Sequence, residues 1–190
     1  TVTAQTFAPA ADEDDTSVFN YLDTASTRAG IAAISAKLAI GAVGIINHPD
    51  HMITGDIREG HVLLLVGETD GHLGQSALLA EVYGRAEGDA PAVDLAAEKR
   101  NGDFIRENHA MIHACTDLSD GGLALAAFEL AESAGIGITL DADDTPTLFG
   151  EDQARYLIAC NFDQAEDLML SASNAGVPIA MVGKVGGDQI

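Results

Sequence analysis

Three short segments concentrate residues able to hold an anion: "GETDGHLGQS" at 67–76, "TDLSDGG" at 116–122 and "LFGEDQAR" at 148–155. In the first, Gly71 and Gly74 leave backbone N–H groups unobstructed, and His72, Gln75 and Ser76 add side-chain hydrogen bonders. A helix is expected to begin there, so its unpaired N–H groups and positive dipole end would face whatever lies outside. The alternative is a tight turn with no ligand. In the second, Ser119 or Asp120 can cap a helix through a side-chain oxygen. Asp117 is not needed for that cap, and Gly121 with Gly122 weakens a helix start. The surplus points to close approach of a ligand or of another backbone. In the third, Glu151, Gln153 and Arg155 surround Asp152; the arginine can grip a phosphate in bidentate fashion or pair with Asp152.

The elements that must position these segments follow from periodicity. "HVLLLVGE" reads as a buried strand, "QSALLAEVYG" as a helix stopped by Gly84, and residues 94–109 as a charged surface helix contacting the core through Leu95, Phe104 and Ile105. "AMIHACTD" is a strand, and Leu123, Ala127, Leu130 and Ala134 recur at helical spacing up to Gly135. "IGITLDA" and "ARYLIAC" are strands on either side of a loop, followed by a helix over "DQAEDLMLSASNAG" and a last strand, "VPIAMVGKV". Strands and helices alternate incompletely, with a direct strand-to-strand step. That favours an α+β fold, a mixed sheet layered with helices, over a purely parallel one. Upstream, residues 24–38 have helical composition and "AIGAVGII" reads as a strand. Residues 1–38 form an acidic lead-in or domain remnant, and residues 39–190 the folded domain.

Composition limits the function classes. The 190 residues carry 9 Lys and Arg against 30 Asp and Glu, a formal net charge of −21. Such a surface excludes nucleic acid and anionic membrane as partners through a broad charged face. It suits a salt-rich cytoplasm or an ordinary acidic bacterial protein equally. Any phosphorylated ligand must be held locally by amides, a helix end, a bridging cation or a few basic side chains. The apolar stretch "GIAAISAKLAIGAVGII" is interrupted by Ser35 and Lys37 and is too short for a membrane span. Residues 1–20 are polar and acidic and do not read as a secretory leader. Cys115 and Cys160 lie in separate apolar runs and read as buried free thiols of a cytoplasmic protein. His109 and His113 are four apart but straddle a strand start, which argues against a shared metal.

Taken together, "GETDGHLGQSALLAEVYGR", "VDLAAEKRNGDFIRE", "TDLSDGGLALAAFELA", "LFGEDQARYLI" and the closing "VGKVGGDQI" resemble, in order and spacing, the carboxy-terminal part of the phosphoribosylformylglycinamidine synthase large-subunit family. The resemblance covers roughly residues 39–190. It implies an AIR-synthase-type C-terminal (B-type) domain, a three-layer α/β/α unit with partly ferredoxin-like topology. It also implies a cleft that binds substrate and phosphate at Gly71, His72, Gly74, Gln75, Ser76, Asp117, Ser119, Asp120, Gly121, Gly122, Glu151 and Gln153. In that family ATP, with Mg²⁺, phosphorylates the amide oxygen of formylglycinamide ribonucleotide. Ammonia from a glutaminase partner then displaces phosphate. "DDTSVFN" is the nearest match to a nucleotide- and Mg²⁺-contacting segment of the family, which places Ser17 on the substrate and Asp15 on the metal. Asp14 and Asp15 replace the Gly and Asn of that pattern. The family's acid–base histidine and ATP lysine belong to other domains, so the chain is expected to be inactive alone. Its implied partners are A-type domains of the same enzyme and the glutaminase; an exposed apolar sheet face would favour a homodimer. The rival readings are a non-catalytic packing module and a domain of another ATP-dependent member of the superfamily. The physical expectation common to the cleft readings is that two glycine corners converge, with bare amides facing one hollow that holds an oxyanion.

Overall fold

Val62–Val66, five consecutive apolar residues, form β1, and all five are buried. A strand shows no polar alternation when both its faces are covered, and β1 is the middle strand of the sheet. The computed structural model describes residues 45–187. Four further strands are β2 (Ala114–Asp117), β3 (Ile138–Leu140), β4 (Tyr156–Cys160) and β5 (Ile179–Val185). Their order is β2-β4-β1-β5-β3, and each of the four described pairings is antiparallel.

The register fixes what each face buries. Val62 lies opposite Cys160 and Leu64 opposite Ile158, while Leu63 lies opposite Ala159 and Leu65 opposite Leu157. Side chains alternate across the pleat, so the first set packs on one face and the second on the other. Helices α1 (Leu95–Glu107) and α4 (Phe162–Ala175) cover the first face with Phe104, Ile105, Ala165, Leu168 and Ala172. Helix α2 (Gly122–Ala134) covers the second with Leu123, Ala126 and Ala127. The result is the expected three-layer α+β architecture.

Strand β1, helix α1 and strand β2 form one βαβ half, and β4, α4 and β5 form another. The four strands interleave as β2-β4-β1-β5, with both crossover helices on one face. That is the ferredoxin-like split arrangement. Between the halves the chain inserts α2, β3 and a short helix, α3 (Thr145–Phe149), and β3 extends the sheet beyond β5. The sheet is thus antiparallel throughout its described pairings, where a mixture of directions was expected.

Three local expectations are revised. The segment after β3 has the composition of a loop, yet Asp144 Oδ1 accepts from Thr147 N at 2.9 Å and Pro146 stands in the first turn, which together start α3. The helix expected at 75–84 is a five-residue π segment, Leu78–Val82. Of the strand expected over 39–46, Ile45 and Ile46 are in no strand, and 39–44 lie outside the described residues. The expected helix at 24–38, Asp15, Ser17 and the boundary at 38/39 also lie outside them; a compact unit begins at Asn47.

Candidate functional site

The 67–76, 116–122 and 148–155 segments meet at one end of the sheet, where β1, β2 and the start of β4 bring them together. The contact at Gly122 is backbone on backbone, and that at Gly71 is against the Pro146 ring. A Cβ added to Gly122 would sit 2.4 Å from Gly150 O and 3.0 Å from Phe149 C, and one added to Gly71 would sit 2.5 Å from Pro146 Cβ. Gly122 also has φ +60, a left-handed conformation that non-glycine residues rarely adopt. The glycine surplus in "SDGG" is therefore explained by close approach of another backbone, the "LFG" end of α3.

The amides of these corners point at carboxylates of the chain itself. Glu151 Oε1 accepts from Ala77 N at 2.7 Å and from Gly121 N at 2.8 Å, so one oxygen joins the first corner to the second. Asp152 accepts from Gly71 N at 3.0 Å through Oδ2 and from His72 N at 3.2 Å through Oδ1. The oxyanion between the two corners is thus the Glu151 carboxylate. Charge-assisted bonds of this kind are stronger than neutral ones, and they satisfy amides that an external phosphate would otherwise recruit.

Arg155 anchors the same turn from beneath and is 2% exposed. Its Nε donates to Asp152 O at 3.2 Å, its Nη1 to Thr69 Oγ1 at 3.2 Å, and its Nη2 to Gly150 O. Burial pulls its pKa down, and the Asp152 and Glu151 carboxylates oppose that pull. Asp152 is only 9% exposed and lies 3.8 Å from Nη1. The arginine is an internal cross-link and has no surface from which to grip a phosphate.

The remaining site residues divide by what they touch. His72 Nε2 lies 2.9 Å from Asp89 O, and Gln75 donates from Nε2 to Gly88 O at 2.8 Å, so both hold the 84–94 loop. Gly74 has Asp89 O at 2.4 Å from a would-be Cβ, which is why the loop can lie against it. Ser76 is fully buried, and its Oγ accepts from Leu79 N at 3.3 Å at the start of the π segment. The expected side-chain cap on α2 is absent: its N-cap is Gly121, and Asp117, Ser119 and Asp120 are exposed. Gln153 is exposed, with Nε2 3.5 Å from Glu151 O.

Beside this clamp lies a cavity of about 320 Å³, within the size range of small-ligand sites. His72, Asp152 and Gln153 line it, as do Arg100 and Asn101 of α1, which no sequence motif marks. Asn101 lies three and four residues before Phe104 and Ile105, on the helix face they bury. A polar residue on an apolar stripe was the available signal. Among the described residues no group of three or more His, Cys, Asp or Glu is placed to hold a metal. His113 stacks on His61 with ring centroids 4.7 Å apart, and His109 packs on His51 instead.

Comparisons with known proteins agree with this architecture. A "Phosphoribosylformylglycinamidine synthase subunit PurL" of Ruegeria sp. (strain TM1040) is 68% identical over 158 residues, 83% of this chain and 22% of that protein. One of Jannaschia sp. (strain CCS1) is 72% identical over 151 residues, 80% of this chain and 21% of that protein. The chain therefore spans about one-fifth of the length of the curated relatives it matches. Among solved structures, Thermotoga maritima PurL complexed with FGAR superposes with a TM-score of 0.60 at 20% identity, covering 73% of this chain and 26% of that one. The same protein complexed with ATP gives 0.58 at 18% identity, covering 73% and 24%. At such identities the likeness is one of fold. The family described as "AIR synthase related protein, C-terminal domain" matches residues 58–190, which contain the whole sheet, the three converging segments and the cavity. By that match over most of its length, the chain belongs to the AIR synthase related protein, C-terminal domain family.

Proposed function

We propose that this chain serves as the carboxy-terminal B-type domain of a phosphoribosylformylglycinamidine synthase. That enzyme converts formylglycinamide ribonucleotide, ATP and glutamine-derived ammonia to formylglycinamidine ribonucleotide. The observation that carries the reading is the 68% identity over 158 residues to a relative bearing that activity in its name. The chain does not turn over alone in this reading, because the other domains supply the remaining catalytic groups, and a glutaminase supplies the ammonia. ATP and Mg²⁺ belong to the complete enzyme. The described residues do not fit a metal–nucleotide centre by themselves: they form no metal cage, and the loop amides are satisfied by Glu151 and Asp152. Gly74 and Gly122 let other backbones approach closely, and Gly71 seats against the Pro146 ring; His72, Asp152 and Gln153 line the cavity beside them. The cytoplasm is the compartment in which such an enzyme would meet its nucleotides.

A second role is favoured by the outer face of α2. An apolar groove of about 350 Å³ is lined there by Leu78, Val82, Leu125, Phe128 and Phe149, with Val82 68% and Phe128 45% exposed. Apolar patches of this kind mark contact surfaces, and the rest of the synthase polypeptide, an A-type domain, is the occupant the reading requires. A homodimer through the same face is the competing outcome.

The test is a chimera. Residues 47–190 replace the matching segment of the Ruegeria relative, and formylglycinamidine ribonucleotide formation is measured with ammonia as the nitrogen donor. Activity within about tenfold of the parent is expected. A folded chimera without turnover would contradict the reading. Phe128→Glu in the chimera should weaken packing of the grafted domain, seen as earlier proteolytic release, and a self-associating isolated chain would favour the homodimer.

A further inference from the structure

Asp–Gly occurs twice in the chain, and both copies stand at the clamp: Asp70–Gly71 at the first corner and Asp120–Gly121 at the second. The dipeptide is chemically labile because glycine, having no Cβ, leaves its nitrogen free to reach the aspartate carboxyl. That nitrogen forms a bond to Cγ, and the amide proton and a carboxyl hydroxyl leave together as water. Water then opens the resulting succinimide. Cleavage of the new N–Cγ bond restores aspartate. Cleavage of the bond from nitrogen to the original α-carbonyl gives isoaspartate, whose main chain runs through Cγ. Asp70 and Asp120 are both exposed, so burial shields neither carboxyl.

The fold does not allow a slower dipeptide at either corner. Gly71 has φ +74 and Gly121 has φ +79, a left-handed conformation that suits glycine. A Cβ on Gly71 would sit 2.5 Å from Pro146 Cβ, and one on Gly121 would sit 2.7 Å from Leu125 Cβ. The lability of both corners is therefore built in.

Each of the two nitrogens is held by a carboxylate of the adjacent pair 151–152. Gly121 N donates to Glu151 Oε1 at 2.8 Å, and Gly71 N donates to Asp152 Oδ2 at 3.0 Å. A charge-assisted bond fixes the peptide plane, and the nitrogen cannot turn toward Cγ without breaking it. The attacking form of the nitrogen is the deprotonated one, and a negative nitrogen would lie against a second anion at hydrogen-bond distance. We propose that Glu151 and Asp152 suppress succinimide formation at Asp120–Gly121 and Asp70–Gly71, and that isoaspartate at these two positions is the modification that opening of the clamp admits. The reaction then proceeds from a locally open state. Isoaspartate lengthens the main chain by one atom, so a converted corner no longer presents its amide at the carboxylate. Every group involved belongs to this chain, and the proposal stands independently of the synthase reading.

Asn101–Gly102 supplies an internal clock for global unfolding. Asn–Gly forms the same succinimide with loss of ammonia, but Asn101 is 1% exposed and Gly102 lies inside α1, so it reacts only when the helix unfolds. The experiment holds the 190-residue chain at neutral pH for several weeks, in buffer and in urea. Isoaspartate at each site is read by peptide mapping with electron-transfer fragmentation. In buffer both aspartates should convert at least about tenfold more slowly than in urea. Glu151→Ala should speed conversion of Asp120 about tenfold or more, with Asp70 at the parent rate and Asn101 intact. Glu151→Gln, which keeps an acceptor oxygen, should fall between parent and alanine variant. Either aspartate converting as fast in the folded parent as in urea would overturn the proposal. So would Asp120 unchanged or slowed in Glu151→Ala, the latter marking Glu151 as a base that assists the reaction. Asp70 or Asn101 accelerating in step with Asp120 would overturn it too, by showing general loosening in place of release of one amide. Failure here leaves the chimera assay untouched, and failure of the chimera leaves this measurement untouched.

Discussion

Replacing Glu151 with alanine removes the one oxygen that joins the two glycine corners. Its bonds to Ala77 N and Gly121 N measure 2.7 and 2.8 Å, and both donors are partly buried. A hydrogen bond to a charged acceptor contributes about 1.5–3 kcal/mol, and part of that returns when water reaches the freed amides. The two bonds together should therefore leave Glu151→Ala about 2–4 kcal/mol less stable. Glu151→Gln keeps an acceptor oxygen and loses only the charge, so its cost should be nearer 1 kcal/mol. Urea unfolding reads both as lowered midpoints with an unchanged slope. The alanine variant also leaves an anion-shaped gap between two bare amides. Acetate should stabilise it selectively, by about 1.4 kcal/mol at a tenfold excess over its Kd, while leaving the parent unmoved. An alanine variant within about 0.5 kcal/mol of the parent would refute the clamp; so would acetate stabilising both proteins alike.

Gly122→Ala places a Cβ 2.4 Å from Gly150 O at φ +60 and should cost about 2–4 kcal/mol in urea unfolding. Gly135→Ala has nearly the same φ, +64, with nothing within 4 Å of its Cβ, and should cost only about 1 kcal/mol. Burial, then the neighbouring His113 and Arg58, holds His61 below its ordinary pKa of 6.5. The unfolded chain therefore takes up that proton first, and the His61 contribution to stability is complete above pH 6.5 and declines as pH falls from there toward the lowered folded value. His61→Gln should flatten that part of the stability–pH curve. Burial pushes the Cys115 and Cys160 thiols up to about 11. Both should resist a thiol-specific disulfide reagent at pH 7.5 in the folded chain and react in urea.

Much of the architecture was legible because it is local. The 122–134 helix is bounded by glycines at both ends and keeps Leu123, Ala127 and Leu130 on one stripe, so its limits could be read directly. Strand β1 was legible because an unbroken apolar run suits a strand covered on both sides. The antiparallel pairing of β1 with both β4 and β5 was not, since no local signal states which strand of an interleaved pair sits between the others. Helix α3 was hidden by its length: five residues started by a cap and a proline carry too little periodicity.

At the site, the three motifs could be found in the sequence but their occupant could not. Glu151 meets Ala77 and Gly121 across 74 and 30 residues, and no spacing rule reaches that far. The glycine corners read equally well as a cradle for a ligand or as turns packed against another backbone. The backbone contact at Gly122, together with Glu151 and Asp152 on the loop amides, decides for the latter. Arg155 reads as a phosphate grip or as the partner of Asp152, and a turn rich in charge conceals that its guanidinium faces inward.

The account turns on what occupies the space between the Gly121 and Ala77 amides. A crystal structure of the chain grown from concentrated sulfate tests it directly. The prediction is the Glu151 carboxylate within hydrogen-bond reach of both amides, with no sulfate between them. A sulfate seated on those two amides, with Glu151 turned out to solvent, would contradict it.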